Sequence, residues 1–265
     1  MSTTEPRRGL PRPVVAACVA IGVVVAAWGG LSLVALTMRT TDTTIRTYAV
    51  QGPLEVSAAN GDVTIIGEDR DDVRVNARAT WSLKRPSVAL RRDGGRVVLD
   101  GSCGGFWGHV DAFGCTIDIE LRVPRDRAVT ARTTSGDVRV LDLAGPVAVR
   151  ASSGDVRAER VAGRLDVATS SGDVGIVGFR GRAVAARASS GDVTVRAAAP
   201  PQRTVVHAAS GDVTIAVPDA VYAVAVRTGS GDEHVAVRQS PDAARVIDVR
   251  TGSGDITVAR LDDAR

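Results

Sequence analysis

Eight copies of one corner carry most of the chemistry-bearing side chains of this chain. They read Asn60-Gly61-Asp62, then Ser-Gly-Asp starting at Ser135, Ser153, Ser171, Ser190, Ser210, Ser230 and Ser253. Periodic carboxylates can accept turn amides, pair with cations, or hold a hard ion such as calcium. If the units stack, Asp62, Asp137, Asp155, Asp173, Asp192, Asp212, Asp232 and Asp255 fall into a column. Neighbours ~4.8 Å apart would repel by ~0.9 kcal/mol per pair even at the dielectric of water. Turn amides could answer that charge. So could a parallel column four residues before the glycines, at Arg132, Arg150, Arg187, Arg227 and Arg250. A structural turn is the first reading of the aspartates. A calcium column is the second, by loose analogy with aspartate-bearing solenoids.

Other constellations offer less. Serine, aspartate and three histidines (His109, His207, His234) could furnish a nucleophilic triad. However, the serines and aspartates belong to the repeat, and the histidines share no motif. No phosphate-binding loop, nucleophile elbow or metal-helix signature is present, so the expectation is a non-enzyme without a cofactor. Cys103 and Cys115 bracket a loop holding Phe106, Trp107, His109, Asp111 and Phe113. In an oxidising compartment the two cysteines would form a disulfide. Zinc held by Cys103, His109, Asp111 and Cys115 is the alternative, at a spacing that matches no standard finger. The aromatics either fold onto the domain wall or form an exposed contact site.

The elements that must position these groups are strands. From Gly136 the glycines step by 18, 18, 19, 20, 20 and 23 residues. Seven and five residues before each glycine, and two and four after it, the side chains are Ala, Val, Leu or Ile, except Thr204 and Glu233. Alternation with period two marks strands buried on one face, and valine and isoleucine suit them. Three residues before each glycine stands Ala or Thr, as a tight corner requires. The other connection varies in length, from 141–146 to 196–203 with Pro200-Pro201, and reads as a tolerant loop. A fixed period near 20 means one unit stacked on itself. The fold predicted is an all-β repeat solenoid, like a right-handed parallel β-helix, of ~11 coils and ~50 Å. An antiparallel β-sandwich with Gly-Asp hairpins is the alternative. Residues 61–136 lack the Ser-Gly-Asp corner and read as less regular coils or hairpins.

Residues 14–38 contain no charge and would make a helix of ~37 Å, enough to cross a bilayer. Arg7, Arg8 and Arg12 precede it and place the amino-terminal side in the cytoplasm. The division expected is a cytoplasmic tail (1–13), one transmembrane helix (14–38), a short linker (39–47) and an extracytoplasmic repeat domain (48–262). The net charge of +3 includes no basic run with interleaved aromatics after residue 38, which argues against nucleic acid.

Ser-Gly-Asp-Val/Ile repeats after one apolar segment, with Ile117-Asp-Ile-Glu-Leu-Arg-Val-Pro124 leading into them, resemble a bacterial β-strand-repeat family of unknown function that carries the name adhesin. The resemblance covers roughly residues 45–260 and implies a cell-surface adhesion role, without catalytic residues to carry over. The function expected is a single-pass, membrane-anchored surface binding or scaffolding module meeting cell-wall glycan or a surface protein. Two alternatives are an envelope-stress sensor or accessory, and a self-assembling spacer that pairs through an exposed terminal coil near Leu261.

Overall fold

The computed structural model describes residues 21–23, 40–49, 52–82, 86–93, 96–102 and 115–263. The described chain is all-β apart from residues 21–23. Its first seven strands are β1 (Thr40–Tyr48), β2 (Leu54–Asn60), β3 (Val63–Glu68), β4 (Val73–Trp81), β5 (Ser87–Asp93), β6 (Arg96–Ser102) and β7 (Thr116–Pro124). The regular repeats follow as β8 (Val129–Ser135), β9 (Val138–Leu141), β10 (Val147–Ser153), β11 (Val156–Glu159), β12 (Leu165–Ser171) and β13 (Val174–Phe179). They continue through β14 (Ala183–Ser190), β15 (Val193–Ala197), β16 (Arg203–Ser210) and β17 (Val213–Val217). The last five strands are β18 (Val221–Thr228), β19 (Glu233–Ala236), β20 (Arg238–Gln239), β21 (Val246–Ser253) and β22 (Ile256–Arg260).

These strands form two sheets of 11 strands each. Within a repeat the strand before the Gly-Asp corner joins one sheet and the strand after it joins the other. The corner therefore turns the chain between sheets and does not close a hairpin, which removes the sandwich alternative for the repeats. Successive coils pair in parallel with no slip at the corner: Val147 lies beside Val129 and Leu165, and Ser153 beside Ser135 and Ser171. Such pairing keeps every inward position inward. Val56, Val149, Val167, Val195 and Ile215 are accordingly buried in one continuous apolar core.

Coil order departs from chain order at both ends. The β21/β22 coil lies between β16/β17 and β18/β19, although it follows both in sequence. At the opposite end, β6 and β7 stack outside β2 and β3. The coil beside Leu261 therefore lies inside β18/β19, with the two-residue β20 at the sheet edge beyond β18, a correction to the expected terminal coil. Near-identical coils can stack on any neighbour, so the repeat pattern does not encode their order.

The irregular stretch contains the antiparallel pairs. β4 pairs antiparallel with both β1 and β7, and β5 with β6. Most of the expected linker at 39–47 is thus strand, because β1 runs along the whole of β4 from Thr40 opposite Trp81 to Tyr48 opposite Val73. The expected span at 14–38 lies outside the described residues except for 21–23, which are helical with Ile21 and Val23 exposed. No helix among the described residues is long and apolar enough to cross a membrane.

Candidate functional site

The corner comes first, since it recurs in every coil. Its glycines hold φ between 117° and 137°, a region closed to other side chains. Each also presses on the coil next to it: a Cβ on Gly191 would overlap the Gly172 carbonyl oxygen, and one on Gly254 that of Gly211. Three residues earlier, Thr133, Thr169 and Thr251 are buried and donate their hydroxyls to the carbonyls of Ser135, Ser171 and Ser253 at 3.2, 3.2 and 3.1 Å.

The aspartates form the expected column, and turn amides answer their charge. The backbone N–H of Asp155 donates to Oδ1 of Asp137 at 2.9 Å, that of Asp173 to Asp155 at 2.8 Å, and that of Asp192 to Asp173 at 2.8 Å. The chain of bonds continues through Asp212, Asp255 and Asp232 in spatial order. At its other end Asp137 donates to Asp62, and Asp62 donates to Asp118 at 3.2 Å. Every corner carboxylate except that of Asp232, at the end of the row, is thus tied by one oxygen to the next coil, a charge-assisted bond that locks register. No grouping of three or more metal-ligating side chains occurs among the described residues. The calcium reading therefore finds no ligand cluster to support it.

The arginine column also forms. Arg132, Arg150, Ala168, Arg187, His207, Arg250 and Arg227 succeed one another in register on one sheet. Its arginines are exposed. They do not meet the corner aspartates of their own chain. Arg132 pairs with Glu55, Arg187 with Asp166 at 3.6 Å, and Arg250 with Asp248 at 3.2 Å, all two positions further back on the strands. Ala168 interrupts the ladder and opens a shallow groove of ≈ 590 Å³ floored by Ala151, Thr169, Ala188 and Ala208 and flanked by Arg150 and Arg187. His207 lines it with Nε2 buried and without a partner, so this histidine is not the solvated side chain that alternation suggests. His234 is exposed.

The loop side of the coils is more ordered than its variable length implies. Asp142, Arg160 and Gly178 all adopt positive φ (58°, 53° and 68°) one above another. The Arg160 guanidinium grips Asp142 with two 2.8 Å bonds and holds that carboxyl below its usual range. Arg157, bonded to Glu159, does the same there. Gly145, Gly163 and Gly181 stack in contact beside them.

A different kind of site lies at the β1 end. Counting outward from the β2/β3 coil, β7 faces β6 and β4 faces β5, which leaves β1 with no strand opposite among the described residues. Its inner face is then free to be polar. Asp42, Thr44, Arg46 and Tyr48 point inward, while Ile45 is 54% exposed on the outer face. Beneath them is a cavity of ≈ 180 Å³ with Val75, Ala77, Val88 and Leu99 as its apolar part and Trp81 at its edge. Of the four described aromatics, Phe179 and Tyr222 are fully buried, and Tyr48 and Trp81 are the two that line this cavity. Sequence reasoning missed the pair. The signal was available in two of only eight aromatics sitting at strand ends.

Cys115 is disulfide-bonded and lies one residue before Thr116, which pairs with Thr80 next to Trp81. Cys103, Phe106, Trp107, His109, Asp111 and Phe113 lie outside the described residues.

Two overlapping matches, at residues 51–164 and 127–259, fit the family model described as Toastrack DUF4097. No curated protein matches the chain. Among solved structures, a putative cell adhesion protein from Clostridium sporogenes is 12% identical with a TM-score of 0.40 over 83% of this chain and 100% of that one. A putative adhesin from Bacteroides fragilis is 13% identical, TM-score 0.36, over 82% and 96% of the two chains. One from Parabacteroides distasonis is 15% identical, TM-score 0.29, over 81% and 97%.

Proposed function

The chain belongs to the Toastrack DUF4097 family, and from its geometry we propose that it is a membrane-anchored, non-enzymatic surface module that binds a ligand at the β1 end. Residues 14–38 act as the anchor, with the amino-terminal side in the cytoplasm and the repeat domain outside. The observation that carries the reading is the half-polar cavity under β1. It offers two aromatic faces, Tyr48 and Trp81, an apolar wall, and a carboxylate and a guanidinium from Asp42 and Arg46. Aromatic faces with a few polar groups suit a sugar ring, which is apolar on its faces and hydroxylated at its rim. The volume of ≈ 180 Å³ suits one such ring. Cell-wall glycan is therefore the ligand class proposed. β1 begins at Thr40, directly after the apolar segment, so the cavity opens near the anchor, where wall polymer close to the membrane would be met.

The test is a glycan and wall-polymer binding screen on residues 40–265, with Trp81→Ala and Trp107→Ala beside the wild type. Binding by wild type that falls at least tenfold in Trp81→Ala is the expected result. Binding unchanged in Trp81→Ala refutes the cavity as the site. Binding lost only in Trp107→Ala moves the contact to the loop between Cys103 and Cys115.

A further inference from the structure

We propose that two copies of this chain pair side by side and in parallel, the arginine ladder of each lying against the aspartate column of the other. The two charged rows are built on the same coils, so their spacing is identical by construction. A ligand with its own repeat would drift out of step within a few coils. A second copy of this chain cannot drift, and its charges are complementary.

Geometry selects the relative direction. On each copy the arginine row lies four residues before the corner glycine and the aspartate row one after it, so viewed from outside they run left and right of a central strip. A two-fold axis parallel to the rods swaps left and right and sets every arginine row against an aspartate row. A two-fold axis across the rods sets like against like and is repulsive. In the parallel arrangement Arg150 faces Asp155 of the second copy and Arg187 faces its Asp192. The strip over which the axis runs is small, with exposed Thr134, Ser152, Ser170, Ser189 and Ala209 between the rows. Two backbones can therefore approach closely there.

The intrachain ion pairs leave room for this partner. Arg150 and Arg227 have no ion pair among the described residues. The interchain role needs only the second oxygen of each aspartate, because Oδ1 is taken by the next amide. Eight coils at ~4.8 Å give a contact ~38 Å long. At ~15 Å wide, it buries ~570 Å² per copy, at the small end for a specific interface. Such a contact is weak in dilute solution and is strengthened when both copies share a membrane. Parallel pairing puts both amino-terminal segments at the same end of the dimer, as a shared membrane requires. This proposal does not depend on the sugar site.

Disulfide trapping of the full chain in membranes tests it. Thr134→Cys and Ala209→Cys place a thiol on the central strip in two different coils, with the wild-type chain as background for its own cysteines. Each variant alone is expected to yield a cross-linked dimer at least tenfold above wild type. The yield should fall at least tenfold in 0.5 M salt or when Arg150→Glu and Arg187→Glu are added, since exposed ion pairs are screened. Arg150→Gln with Arg227→Gln gives the same readout if the glutamate variant fails to fold. Cross-linking only when the two cysteine variants are mixed would show antiparallel pairing and overturn the proposal. So would no dimer above background, a yield indifferent to the arginines, or an equal yield from Thr194→Cys on the opposite sheet.

Discussion

Gly191→Ala is the sharpest test of how the corner works. Gly191 sits at φ 120°, where a Cβ is strained whatever surrounds it, and the added carbon would lie 2.7 Å from the Gly172 carbonyl carbon, closer still to its oxygen. The backbone term alone is ~1–3 kcal/mol. Relief requires this coil to move away from the one below. That movement stretches the 2.8 Å bond from the Asp192 amide to Asp173, a charge-assisted bond of ~1.5–3 kcal/mol. Together these give a loss of ~3–5 kcal/mol. For a domain of this size that lowers the melting temperature by ~8–15 °C. Gly175→Thr is the internal control. Gly175 lies on β13 with nothing within 4 Å of its virtual Cβ, in register with Arg157 and Thr194. Threonine there should raise stability by ~0.5–1 kcal/mol by restricting the unfolded chain and suiting a strand. Urea and thermal unfolding of residues 40–265, followed by circular dichroism, measure both. A loss below ~1 kcal/mol for Gly191→Ala, or equal effects at the two glycines, would refute the argument that coil contact fixes the corner.

Three further outcomes follow from single side chains. Thr204 is fully buried between Val184 and Ile247 with its hydroxyl unpartnered, so Thr204→Val should stabilise by ~1–2 kcal/mol in the same unfolding assay. Tyr222 is buried with its hydroxyl donating to the Pro218 carbonyl at 2.9 Å, and burial pushes its phenol up. A raised phenol stabilises the fold below the ordinary tyrosine range and loses that contribution as pH rises through the folded value, so ultraviolet titration should show a tyrosine step above the ordinary range that Tyr222→Phe removes. Tyr222→Phe should cost ~1 kcal/mol at neutral pH. The Asp142 carboxyl is held down by Arg160, so its contribution is present above the ordinary carboxylate range and fades as pH falls below ~4. Asp142→Asn should fall slightly behind wild type at pH 6, and the gap should narrow as pH falls below the ordinary carboxylate range, read from urea midpoints.

The repeats were legible because two independent signals coincide at each corner, a glycine of unusual backbone angle and valines at fixed offsets from it. Their agreement located the strands and the aspartate and arginine rows to the residue. β1 was not legible: Thr40–Tyr48 offers one aliphatic side chain, Ile45, on the face that turns out to be solvated. The order of stacking was not legible either, since Val224 and Val249 would suit any coil. The stacked loop side was hidden by length changes that leave Gly145, Gly163 and Gly181 superposed while residues between them vary. The cavity pair escaped because Tyr48 and Trp81 are far apart in sequence and meet only through the antiparallel β1–β4 pairing.

The displaced coil at the far end bears on biogenesis. As the polypeptide emerges, β18 and β19 are made before the layer they rest on, so they must wait unseated until β21 and β22 slot in beneath them. Stacking then finishes by insertion, and until it does the waiting segment is exposed to chaperones and proteases. Lengthening the array by duplication would have to happen in its middle, because each end is bolted shut by a segment threaded one layer inward.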